Sequence, residues 1–129
     1  MDNHDNHAKN LSIYSPPSQG VKLSPFYDLL STSLFPGLSR KFALRIGEEN
    51  TPSKITKIQL VTMSEMLDFK PKYVLKIAEQ IANDLLVMID EVAKDITQVS
   101  AGTEKTMVER LDQHIHSNTK SFQKRLFVN

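Results

Sequence analysis

Between Val74 and Val99, nine apolar side chains (Val74, Ile77, Ala78, Ile81, Leu85, Met88, Val92, Ile96 and Val99) recur at three- and four-residue steps. That is the period of one helix face, and a run of this length commits the middle of the chain to a single long amphipathic helix, its stripe by default a core face, with part of it open to a partner chain if the lobe is truncated. Pro71 suits its first turn, where a helix leaves N–H groups unpaired in any case. Ala101-Gly102 stops it, and Thr103 with Glu104 opens another. Met107, Leu111, Ile115, Phe122 and Leu126 give a looser stripe to this last helix. On the near side, Thr56 is placed to cap a helix reaching about Leu67, with Ile58, Leu60, Val61 and Met66 as its apolar face. Asp68-Phe69-Lys70 connects it to Pro71.

Ahead of residue 50 the period is two. Leu11-Ser12-Ile13-Tyr14-Ser15 alternates, Pro16-Pro17-Ser18-Gln19-Gly20 is a dense turn signal, and Val21-Lys22-Leu23 alternates again. Residues 11–23 therefore read as a β-hairpin, closed by Pro25, which cannot donate to a ladder. Residues 26–40 are irregular with room for one short helical turn, and Phe42 to Gly47 reads as a further short strand. The expected architecture is mainly α with a small β-hairpin in one domain over 1–129. A β-containing front (1–50) precedes a helical part (51–129).

A chain of 129 residues supports one core of ordinary size. A net charge of +1 argues neither for nucleic acid nor for a membrane surface. The absence of cysteine excludes disulfides, thiolate zinc sites and a cysteine nucleophile. No apolar run approaches the length of a membrane span, and a cytoplasmic location is expected.

The chemistry-bearing residues gather at the front. Asp5 and Asn10 stand five residues apart in a polar stretch, and Asp28 follows the hairpin. Phosphoryl transfer needs a carboxylate to take the hydroxyl proton and oxygen ligands to hold Mg²⁺ against phosphates, and protein kinases place their base Asp and Mg²⁺-binding Asn at this separation. The string Asn3-His4-Asp5-Asn6-His7-Ala8-Lys9-Asn10 resembles the N-x-D-x-H-x-K-N catalytic loop of the HipA family of bacterial toxin kinases. Leu23-Ser24-Pro25-Phe26-Tyr27-Asp28-Leu29-Leu30-Ser31-Thr32 resembles that family's L-x-P-x-Y-D-x-L-S-T signature, and Lys41 to Gly47 continues with K-x-A-L-x-I-G.

The resemblance implies the C-terminal portion of a HipA-like, protein-kinase-like catalytic lobe. It implies Asp5 as catalytic base, Asn10 and Asp28 as Mg²⁺ ligands, His7 facing the transferring phosphoryl, and Lys9 as a partner of substrate or phosphate oxygen. The reaction implied is transfer of the ATP γ-phosphoryl group, with Mg²⁺, to a serine or threonine hydroxyl of a translation component such as an aminoacyl-tRNA synthetase. The partner implied is a HipB-like antitoxin of a type II toxin–antitoxin system.

The phosphate-covering loop and phosphate-neutralising lysine of kinases lie upstream of the catalytic loop in this family. The four glycines here, at 20, 37, 47 and 102, are ungrouped. The isolated chain is therefore expected to be inactive. Either a separately encoded N-terminal lobe completes it, or it is a non-catalytic interaction module that binds an antitoxin or another partner. Asp2 stands where the family usually has glycine.

Other clusters read more plainly. His4 and His7 with Asp2 and Asp5 offer transition-metal donors but lack an outer shell to order them. His114 and His116 read as solvated surface residues. Lys120, Lys124 and Arg125 read as a solvated basic helix end rather than a nucleic-acid surface.

Overall fold

The computed structural model describes residues 3–127. The front carries an antiparallel pair, β1 (Ile13–Tyr14) and β2 (Lys22–Leu23), with Ile13 opposite Leu23 and Tyr14 opposite Lys22. This is the hairpin expected from the alternation, turned at Pro16 to Gly20. Three helices follow: α1 (Lys57–Met66), α2 (Pro71–Val99) and α3 (Thr103–Phe127). The mainly α architecture with one hairpin is as the sequence implied. No described helix is long and apolar enough to cross a membrane.

Local chemistry explains the boundaries. The Thr56 Oγ1 accepts from the Ile58 N–H at 3.3 Å, and Gln59 Oε1 accepts from the Thr56 N–H at 3.0 Å, a capping box that satisfies two donors at the start of α1. Ile55 and Leu60, at the two staple positions around that cap, are both buried. Pro71 opens α2 at its first position, and Gly102, in left-handed conformation, turns the chain into α3.

The helices α2 and α3 form an antiparallel hairpin. Gln123 Nε2 donates to Asn83 Oδ1 at 2.7 Å, and His116 Nε2 lies 2.8 Å from Asp90 Oδ1. The step from 83 to 90 along α2 thus matches the step back from 123 to 116 along α3. Arg125 ties the end of α3 to the turn before α1, donating from Nε to the Ile55 carbonyl at 3.1 Å and from Nη2 to that of Pro52 at 3.4 Å. It is not part of a solvated basic patch.

The core is small: Ile55, Leu60, Ala82, Ile115 and Leu126 are the buried apolar residues among those described. The face expected for α1 fails, and for α2 the open-stripe reading is the one observed. On α1, Leu60 is buried but Ile58 (71 % exposed) and Met66 face water, while Ser64 is fully enclosed with its hydroxyl bonded to the Val61 carbonyl. The short turn from Leu67, with Asp68 in left-handed conformation, sets which side of α1 meets α2, and that choice is not local. On α2, much of the expected core stripe (Ile77, Ile81, Met88, Val92, Ile96 and Val99) is exposed, because α1 and α3 cover only the side that carries Ala82. The accessible surface is 9465 Å², against roughly 6,900 Å² for a self-contained monomer of this mass by the usual scaling. Phe42 to Gly47 is not a strand. Ile46 pairs only with Glu49 in an isolated bridge around Gly47.

Candidate functional site

Three turns converge at the front. Residues Ala8–Asn10 form a 3-10 turn, and the Asn10 N–H donates to the His7 carbonyl at 2.9 Å. The Asn10 side chain completes the loop: its Oδ1 accepts from the His7 N–H at 3.1 Å, and its Nδ2 donates to Asp28 Oδ2 at 2.7 Å. Asn10 is buried although polar, which fits an amide whose oxygen and nitrogen are both engaged. Asp28 adopts φ +56°, a left-handed conformation that Asp tolerates better than most residues. Its carbonyl accepts from Asn3 Nδ2 at 2.9 Å.

Of the five residues singled out in the sequence, the structure brings Asn10 and Asp28 side chain to side chain across a separation of 18 residues. Asp5 lies in the same loop, exposed, with no hydrogen bond or ion pair to any described residue. His7 is half-buried; its backbone holds Asn10, and its Nδ1 is enclosed without a partner. The Lys9 side chain is exposed, and its carbonyl accepts from Tyr27 Oη at 3.0 Å. Asp2 lies outside the described residues. The four-residue His/Asp metal grouping is not assembled among them: His4 is buried against Phe42, ring centroids 5.5 Å apart, with neither ring nitrogen bonded.

Pattern reasoning missed the residues that hold the site together. Tyr27 links the catalytic-type loop to the hairpin through Lys9 and through Ser12 Oγ at 2.9 Å. Thr32 Oγ1 accepts from the His4 N–H at 2.9 Å, and the Ala43 N–H donates to the His4 carbonyl at 2.9 Å. His114 of α3 hydrogen-bonds Ser33, anchoring the Thr32–Leu34 turn to the helices; it is half-buried, not solvated. Tyr27 and Thr32 were visible as members of the L-x-P-x-Y-D-x-L-S-T string, but nothing local indicates which distant atoms they meet.

A hard divalent cation such as Mg²⁺ takes oxygen ligands, usually from one or two carboxylates plus substrate phosphates. The converging carboxylate of Asp28 and amide of Asn10 fit that donor chemistry, and the second lone pair of Asn10 Oδ1 remains for an ion.

Comparison with known proteins shows the family and the fold. The HipA-like C-terminal domain family matches residues 1–89, and the chain belongs to that family. It is 30% identical over 90 residues to the serine/threonine-protein kinase toxin HipA of Shewanella oneidensis, covering 70% of this chain and 21% of the relative. It is 53% identical over 49 residues to the putative kinase Y4mE of Sinorhizobium fredii, covering 38% of this chain and 11% of the relative. The fold matches a chain of the Shewanella oneidensis HipA, HipB and operator DNA complex with TM-score 0.69 and 21% identity, over 94% of this chain and 28% of that one. The chain thus spans about a fifth or less of the curated relatives it matches.

Proposed function

We propose that this chain carries the base and the metal ligands of a HipA-type serine/threonine kinase site, completed by nucleotide-binding groups from another segment or chain. The observation that carries the reading is the Asn10–Asp28 contact at 2.7 Å, which joins the two signature motifs at the residues a divalent ion would need. The unencumbered Asp5 carboxylate supports it, since a general base must be free to meet a hydroxyl.

In this reading Asp5 takes the proton of a serine or threonine hydroxyl as the hydroxyl oxygen bonds to the γ-phosphorus and the bond to the ADP oxygen breaks. Asn10 and Asp28 hold Mg²⁺, which neutralises phosphate charge when bound. His7 and Lys9 present donors toward the transferred group. The macromolecular setting that the family resemblance implies is a HipB-like antitoxin as restraint, a translation component as substrate, and a cytoplasmic location; a HipA–HipB complex is the structure this fold matches.

The surface excess and the open stripe on α2 favour a second reading, a non-catalytic module that binds an antitoxin or partner chain. One experiment separates the two. The pure chain titrated with ATP·Mg²⁺ should show no micromolar binding. Mixed with a HipA-type N-terminal lobe, it should phosphorylate a protein substrate, with at least a hundredfold loss in Asp5→Asn, the scale of a removed general base. Phosphorylation that survives Asp5→Asn, or no transfer despite a stable complex, overturns the kinase reading.

A further inference from the structure

Asp112 and His116 stand four residues apart on α3 and so share a face, and the register of the helix hairpin brings Asp90 of α2 to them. We propose that these three side chains form a site for a borderline divalent cation of the Zn²⁺ class, independent of the kinase reading.

His116 Nε2 lies 2.8 Å from Asp90 Oδ1 and 3.5 Å from Asp112 Oδ1. Metal–ligand bonds of about 2.0–2.2 Å, at angles between octahedral and tetrahedral, put neighbouring ligand atoms roughly 2.8–3.6 Å apart. Both distances fall in that range. All three ligand atoms lie within 4.8 Å of one another, and the largely exposed Asp90 is free to close the remaining edge.

The interhelical histidine–aspartate bond accounts for Asp90 and His116, and Asp112 is held only by its longer 3.5 Å approach to the same ring nitrogen. The Asp112 Oδ1 is shut off from solvent and receives no hydrogen bond, although its carboxylate is turned toward the cluster. An enclosed anionic oxygen whose neighbouring donor stands beyond hydrogen-bond range is costly, and a cation between the carboxylates removes that cost. A cleft of about 530 Å³, bordered by Asp90, Asp112, Thr97 and Glu109, opens beside the cluster and gives an ion entry and room for water ligands.

Two carboxylate oxygens and one imidazole nitrogen suit Zn²⁺, Co²⁺ or Mn²⁺ better than the all-oxygen preference of Ca²⁺ or Mg²⁺. The enclosed His116 Nδ1 has no acceptor to fix the ring, and Lys94 and Lys105 border the same cleft. Affinity on the order of micromolar is therefore expected rather than the tightness of a second-shell-supported zinc centre.

Calorimetric titration of the metal-stripped chain with Zn²⁺ should give one site per chain, with Co²⁺ in its place showing visible d–d absorption. Asp112→Asn and His116→Gln should each weaken Zn²⁺ binding at least tenfold. Circular dichroism shows whether each variant remains helical. Zn²⁺ should raise the thermal midpoint of the wild-type chain and not that of Asp112→Asn. No binding to the wild-type chain, or binding unchanged in a folded Asp112→Asn variant, overturns the proposal and leaves the cluster as a clasp between helices.

Discussion

The front and the helical part of this molecule are built on opposite principles. Among described residues up to 50, the buried side chains are polar: His4, Asn10, Ser31 and Thr32. The four strand residues are all exposed, as are Phe26, Leu29 and Leu30 beside the candidate ligands. The helical part buries mainly apolar side chains, Leu60, Ala82, Ile115 and Leu126 with Ile55 at its entrance, beside the small hydroxyl residues Ser64 and Thr119. The site is therefore positioned by directional hydrogen bonds between turns, with its apolar side chains left outward, while ordinary hydrophobic burial holds the helices. Hydrogen bonds fix geometry well but contribute only about 1 kcal/mol each. Such a front holds a shape and gains little stability until something covers it.

The sharpest way to break that contrast is a pair of truncations. Ile55 is 2 % exposed at the junction of the Pro52–Lys54 turn, α1 and the Arg125 clasp. Ile55→Ala should cost roughly 2–5 kcal/mol, the range for emptying a packed aliphatic site. Leu30→Ala, at a residue more than half exposed, should change stability by less than about 0.5 kcal/mol. Urea unfolding of both variants measures the difference. Equal losses would mean that the front has a core of its own.

A smaller effect is expected at the joint between the two regions. Gly47 has φ +60°, and a Cβ there would lie 2.8 Å from the Gln59 carbonyl oxygen of α1. The backbone conformation and the contact both disfavour a side chain, so Gly47→Ala should cost roughly 1–3 kcal/mol. If the variant unfolds at the wild-type urea midpoint, the loop does not rest on α1 as described.

The same division governs what was legible in the sequence. The start of α1 was readable because Thr56 and Gln59 act within one turn, and α2 because its stripe repeats over many turns. Which flank of each helix is covered was not, since that depends on neighbours: Ile58 was assigned inward and lies outward, and Ser64 is enclosed. Gly47, in left-handed conformation, turns the chain between Ile46 and Glu49 where alternation through Phe42 to Gly47 suggested a strand. In the site, the order Asp5, Asn10, Asp28 was readable from motifs. The contacts of Tyr27 with Lys9 and of Thr32 with His4 span 18 and 28 residues and leave no local pattern. His116 was assigned to solvent because its partner Asp90 lies on another helix.

The smallest effect expected tests whether polar capping stabilises the front at all. Glu49 Oε1 accepts the Thr51 N–H at 2.8 Å and the Asn50 N–H at 3.0 Å. The Thr51 backbone bond, followed by the Thr51 hydroxyl, holds the Glu49 carboxyl below its ordinary value of 4.5. A carboxyl whose folded value is depressed adds stability above its unfolded value, and that contribution disappears as pH falls through the lower folded value. The thermal midpoint of the wild-type chain should therefore exceed that of Glu49→Gln at neutral pH. The gap should close as pH drops below 4.5, where protonation removes from the wild type the charge the variant already lacks. A gap that persists unchanged into acid would mean that side-chain shape, rather than the charged acceptor, secures the turn leading into α1.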